Sequence, residues 1–142
     1  MEPCLSFADV LAVGRPRIAE LERIGNMFSD GELAEACAAF SHEVGVVEGT
    51  VVQTYGIAAT FARKAEDLRD AADVWKKMSQ FCQAALEVLS RLKDKYPRCG
   101  TTELYDRVLD YKLAADKRHE GAIKEAECQT MDFPKGLLPE LS

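Results

Sequence analysis

The sequence predicts an all-α fold, an elongated antiparallel bundle of three or four long helices with coiled-coil-like packing. Three observations lead there. Apolar and small residues recur at alternating spacings of three and four from Cys37 to Tyr96, the pattern of helices that pack side by side at a shallow angle. The stretch ARKAEDLRDAADVWKKM, 62–78, contains no Gly or Pro. Nine Gly and five Pro in 142 residues are too few, and too clustered, for the many turns of a β-sandwich. The length suits one core. The reading is a single bundle domain over 1–130 and an extended C-terminal tail over 131–142.

Each element has its own local warrant. Ser6 can cap a first helix from about Phe7, with Asp9 at the third helical position. Val10, Leu11, Val13, Ile18, Leu21 and Ile24 give it an apolar stripe. Pro16 interrupts the stripe, so a kink or restart is expected at Gly14–Pro16, with an end near Gly25–Phe28. Ser29 and Glu32 form the next start signal.

From there the seam runs through Cys37, Phe40, Val44, Val47, Val51, Thr54, Ala58, Phe61, Ala65, Leu68, Ala72, Trp75, Ser79, Cys82, Leu86, Leu89, Lys93 and Tyr96, nearly all apolar or small. Unbroken, 31–96 would be about 100 Å long. Gly45, Gly49 and Gly56 weaken its first half, each by about 1 kcal/mol relative to Ala. With Ala38, Ser41 and Val52 they make a face of small residues beside the seam. Either a neighbouring helix approaches closely along that face, or the helix breaks near VGVVEG; close approach is the preferred reading. KYPRCGTTE, 95–103, is the clearest loop: Pro97 disfavours helix at Tyr96, Gly100 follows, and Thr101 or Thr102 caps the last helix. Its apolar positions are Leu104, Val108, Tyr111, Ala115, Ala122 and Ala126, and it should fade near Gln129. MDFPKGLLPELS has two prolines and no helical period.

The net charge is −6. An acidic chain repels phosphate backbones, so nucleic acid is not an expected partner. The charge is uneven: 1–60 and 101–142 are acidic, and 61–100 is basic. A basic middle between acidic ends fits antiparallel segments that neutralise each other. The clusters WKK, 75–77, and RLKDKYPR, 91–98, leave a membrane surface open as a contact, though the net charge disfavours it. Five widely spaced cysteines without a CxxC point to free thiols in a reducing, cytoplasmic setting. The N-terminus has no basic segment before an apolar run, and no stretch approaches the ~20 apolar residues of a membrane span.

The chemistry-bearing residues form half of a pattern. Asp116 lies three residues before His119, and a carboxylate so placed on a helix can share a metal with the imidazole. The other histidine, His42, has Ala39 where the matching carboxylate should be. Glu43, Glu48 and Glu120 are the remaining acids of a conceivable set, so His42, Glu48, Asp116 and His119 are metal candidates against a simpler reading as solvated helix faces. A Cys–His pair would need Cys37, Cys82 or Cys128 to meet His42 or His119 in space. Cys37 and His42 do not share a face, and no phosphate loop, G-x-S-x-G or H-E-x-x-H occurs. No catalytic residue and no cofactor is expected.

ELYDRVLDY, with Leu104, Asp106, Val108, Asp110 and Tyr111, resembles the helical sorting-nexin BAR domains over these few residues. The resemblance implies a peripheral membrane-associated helical scaffold, for which the chain is short as a complete protomer. The leading expectation is a non-enzymatic helical interaction or scaffold module, whose partner is another helical protein or a second copy. The alternative is a metal-binding bundle or enzyme. The contact candidates are Ala38, Ser41, Gly45, Gly49, Val52 and Gly56 on the small face, and Phe133, Leu137, Leu138 and Leu141 in the tail. Trp75 and Phe61 are read as core anchors, and one of Tyr105 and Tyr111 as exposed.

Overall fold

The computed structural model describes residues 6–27, 33–96 and 100–137, with side chains over 6–27, 38–96 and 100–128. It is all-α. Four helices follow one another: α1 (Phe7–Met27), α2 (Leu33–Lys64), α3 (Leu68–Lys95) and α4 (Thr101–Leu137). There is no strand among the described residues. Short connections turn each helix back along its predecessor. α3 touches the other three, α4 lies along α3 with a sparser edge on α2, and α1 and α4 do not meet among the described residues. The bundle is therefore a rhombus in section, with α2 and α3 on its short diagonal.

The start of α1 follows its capping signal. The Asp9 N–H donates to Ser6 Oγ at 3.2 Å and the Ser6 N–H to Asp9 Oδ2 at 2.9 Å, which satisfies donors that a helix start leaves open. The restart expected at Gly14–Pro16 does not occur. α1 continues through Pro16, and its apolar stripe keeps phase across that position: Leu11, Ile18 and Leu21 are all buried. Burial at about 1.5–3 kcal/mol per large side chain outweighs the ~3 kcal/mol penalty of one interior proline. The Ser29–Glu32 start signal lies outside the described residues.

The seam is one sequence pattern shared by two helices. α2 ends at Lys64 and α3 begins at Leu68, so the break falls at 65–67 and not near VGVVEG. The turn needs neither Gly nor Pro. Asp67, in extended backbone, accepts the Asp70 N–H at 2.8 Å and caps α3. The seam residues Phe40, Val47, Val51, Ala58, Cys82 and Leu89 are all fully buried.

Close approach exists, but on other glycines. A Cβ at Gly45, Gly49 or Gly56 would meet nothing within 4 Å. A Cβ at Gly25 would lie 2.6 Å from Leu92 Cδ2, 3.3 Å from Leu92 Cδ1 and 3.1 Å from Phe40 Cε1, and one at Gly14 would lie 3.0 Å from Phe81 Cζ. α1 is thus the helix whose backbone approaches its neighbours. Small residues on α2 face outward because the helix's large residues, Phe40, Val47 and Val51, already claim the core side.

At the α3–α4 turn, Tyr96 closes α3 by donating its N–H to Leu92 O at 2.8 Å. Gly100 adopts φ +83°, a left-handed conformation that favours glycine. Thr101 is the first residue of α4, not its cap: its hydroxyl is buried and donates back to Tyr96 O at 2.6 Å. α4 does not fade at Gln129. It continues to Leu137, where an extended tail from 131 is expected, because lengthening a formed helix costs no new nucleation. Residues 138–142, with Leu138 and Leu141, lie outside the described residues, as do the side chains of Phe133 and Leu137.

The two classes of glycine predict opposite outcomes. Gly25→Ala should lower stability in urea by about 1–2 kcal/mol, because both Leu92 methyls and the Phe40 ring crowd the new Cβ and overpacking exceeds the ~1 kcal/mol helical gain. Gly49→Ala, in open space, should raise stability by up to about 1 kcal/mol.

Candidate functional site

Asp116 and His119 share α4, but Asp116 already has partners. Ser79 Oγ donates to its Oδ1, and Lys112 Nζ reaches Oδ2 at 2.7 Å. Burial on its own would raise this carboxyl. The hydrogen bonds from Lys112 and Ser79, with the charges of Lys112 and His119, outweigh that and hold it below its ordinary value. His119 is half-buried, and His42 is exposed on α2. Glu48 is ion-paired to Arg107 Nε at 3.0 Å. Among the described residues no group of three or more His, Cys, Asp or Glu is disposed to hold a metal. The structure therefore gives Asp116 and Glu48 helix-joining contacts and does not bring the four candidates into one cluster.

Cys82 is fully buried on the seam, and burial pushes its thiol up to about 12, only partly offset by the Lys112 charge. A thiol so placed is protonated at neutral pH and is a poor nucleophile. Cys128 is exposed, and both are free.

The aromatic residues gather where α2, α3 and α4 meet. Trp75 is buried, with the Tyr55 ring 5.2 Å from it, and Tyr55 lies 4.9 Å from Tyr111. Arg118 stands 5.2 Å over the Trp75 ring and donates from Nε to the Tyr55 hydroxyl at 3.0 Å. Phe61 is half-buried and touches Phe7 at 5.9 Å. Tyr105 and Tyr111 are both half-buried.

Four bases of the basic segment are engaged within the fold, while Arg63, Lys64, Arg69 and Lys76 are exposed. Arg91 pairs with Glu22 of α1, Lys93 lies 4.0 Å over the Tyr105 ring, Lys95 Nζ donates to Gly25 O at 3.0 Å, and Lys77 pairs with Asp73 at 2.9 Å. No described helix is long and apolar enough to cross a membrane.

Three outer surfaces stand out. The first is the small-residue face of α2: Ala38, Ser41, Gly45, Gly49, Val52 and Gly56 are all exposed. The second is a groove of about 610 Å³ between α2 and α4, lined by Tyr55, Tyr111 and Ala114 and, along α4, by Glu103, Asp106, Arg107 and Asp110. The groove exists because the α2–α4 edge of the rhombus is only loosely closed. A smaller groove of about 480 Å³ between α1 and α2 exposes Val13, 75% accessible, and Ile57. Sequence reasoning missed the larger groove, although spacings of three and four among Glu103, Asp106 and Asp110 put them on one face opposite the buried Leu104 and Val108.

No protein-family model, curated protein or solved structure matches the chain.

The Asp116 contacts generate a pH dependence. A carboxyl whose folded value lies below its unfolded one stabilises the fold above the ordinary carboxylate range, and that contribution is lost as pH falls through the folded value. Urea midpoints measured from neutrality into acid should therefore drop less steeply for Asp116→Asn than for the natural chain. Thiol labelling followed by mass mapping should modify Cys128 rapidly in the native protein. Cys82 should label only as the protein unfolds.

Proposed function

We propose that this chain is a non-enzymatic helical protein–protein interaction or scaffold module of the cytoplasm that docks another helix, coiled-coil fashion, along the outer face of α2. One observation carries the reading. Gly45, Gly49 and Gly56 each weaken α2 by about 1 kcal/mol relative to Ala, and none is required by a neighbour within 4 Å. Residues that break a local rule without an internal return are expected at functional positions. A helix face without large side chains lets a second backbone come close. The face carries only His42 and Glu48 at its two edges from Ala38 to Gly56, and Glu48 is already paired with Arg107, so desolvating its centre is inexpensive.

The partner is a second copy of the chain or a different helical protein. Sedimentation over a wide concentration range, together with affinity purification and quantitative mass spectrometry, tests both. Gly49→Ala should keep association, and Gly49→Leu should abolish it with no loss of helicity or stability. A chain that stays monomeric throughout, and whose co-purifying proteins are the same with Gly49→Leu as without it, would overturn the reading.

A further inference from the structure

The groove between α2 and α4 has a chemistry that the small-residue face lacks. Its floor is aromatic and apolar, made by Tyr55 and Tyr111, whose rings lie 4.9 Å apart, and by Ala114. Its α4 rim carries a row of three exposed carboxylates, Glu103, Asp106 and Asp110, and one cation, Arg107, which is turned onto Glu48 of α2 at 3.0 Å, so the rim has an excess of negative charge. None of the three has an ion-pair or side-chain hydrogen-bond partner among the described residues. The cations that could reach them are engaged elsewhere: Arg107 on Glu48, Lys112 on Asp116, and Arg118 on the Tyr55 hydroxyl.

This row works against the helix that bears it. Like charges three and four apart on a helix repel, and Asp is a mediocre helix former. Only Glu103, in the first turn of α4, gains from the helix dipole, which fades beyond that turn. Asp106 and Asp110 gain nothing from it. Two carboxylates that bridge other helices are paired, Glu22 with Arg91 and Glu48 with Arg107.

We propose that this groove receives a basic amphipathic helix from a partner protein. The apolar stripe of that helix would rest on Tyr55, Tyr111 and Ala114, and its lysines or arginines would face Glu103, Asp106 and Asp110. Val52 and Tyr55, three apart on α2, join the groove to the small-residue face, so one helix can use both surfaces. The assignment rests on the reading of the chain as an interaction module and names the chemistry of the partner. Opposite charge on the two sides gives register and speeds encounter, and an apolar floor with a charged rim is the usual form of a helix-binding groove.

The probe is a fluorescein-labelled synthetic helix with leucine along one stripe and lysine along its flank, compared with the same peptide carrying glutamate for lysine. Anisotropy titrations on the full chain should show binding of the lysine peptide only, weakened by added salt. The double variant Asp106→Lys, Asp110→Lys should weaken binding about tenfold or more. Glu87→Lys with Asp94→Lys, an equal change of net charge on exposed positions of α3, should shift it by less than about twofold. All four positions are exposed, and circular dichroism checks that each variant is folded. Equal weakening by both double variants, or equal binding of the two peptides, or no binding, overturns the proposal. So does a self-associated chain that Asp106→Lys with Asp110→Lys returns to monomer, since a second copy then fills the groove. If the peptide result fails while Gly49→Leu still abolishes association, the module stands and the basic partner falls.

Discussion

The carbonyl oxygen of Gly25 fixes the arrangement of all four helices. It lies in the last turn of α1, where main-chain carbonyls lack partners along their own helix. The Tyr96 hydroxyl donates to it at 2.9 Å and Lys95 Nζ at 3.0 Å, so a cation also meets the negative end of the α1 dipole. The Tyr96 ring stacks on Phe40 of α2 at 4.4 Å between centroids. Tyr96 closes α3 through its own N–H, and its carbonyl accepts the Thr101 hydroxyl that opens α4. One side chain and one carbonyl therefore bind the C-terminal end of α1 to three other elements. The geometry works only if α1 comes close, and that is what the missing Cβ of Gly25 provides against Leu92 and Phe40.

From that fixed end the remaining contacts follow as a consequence of direction. α1 and α3 run the same way, which places Glu22 beside Arg91 and Gly14 under Phe81. α2 and α4 also run the same way, which places Glu48 beside Arg107 and Tyr55 beside Tyr111 and, a further turn on, Arg118. These two parallel edges are the looser ones, bridged by long polar or aromatic side chains, whereas the antiparallel α3–α4 pair is closed along its length. The larger groove belongs to a parallel edge for this reason. Loops this short join antiparallel neighbours easily, whereas the parallel pairs meet through side-chain bridges and at Gly14 and Gly25, where the α1 backbone comes up against α3 side chains.

Periodicity made much of this legible. Most of the seam from Phe40 to Tyr96 is buried as its spacing requires, since a residue's phase on a helix is fixed by its number alone; Phe61, Ala65 and Leu68, beside the turn, and Ser79 and Lys93 are only half-buried. The Ser6–Asp9 cap was legible because both its donors and acceptors lie within one turn. Of the expected neutralisation of a basic middle by acidic ends, one ion pair is present among the described residues, Arg91–Glu22, while Lys77 pairs within its own helix with Asp73. Phase cannot say which of two small-residue sets faces a neighbour. Gly14 and Gly25 are eleven apart, close to three turns, and occupy the apolar stripe of α1, yet they read as helix-breakers beside Pro16 and Phe28. Gly45, Gly49 and Gly56 form the better pattern and point to solvent. The deciding information was the bulk across the gap, Phe81 and Leu92, which no local pattern carries. The α2–α4 groove was illegible for the same reason: Tyr55 and Asp106 are brought together only by the shared direction of two helices.

The two glycine sets also show why surface and core cannot be read with one rule. At Gly25 the absence of a side chain is balanced by a stacked ring, two hydrogen bonds and a buried leucine, all of which depend on it. At Gly45, Gly49 and Gly56 the chain accepts weaker helix and has no contact to set against the loss. The same imbalance recurs across the groove, where Asp106 and Asp110 repel each other on a helix that would be firmer with lysine at either position. Both departures from the most stable sequence lie on adjoining outer surfaces of α2 and α4, and neither extends into the core. Random drift toward lower stability would not favour one corner of the rhombus. A second helix laid along that corner would take up both, since it needs close approach on one side and offers opposite charge on the other.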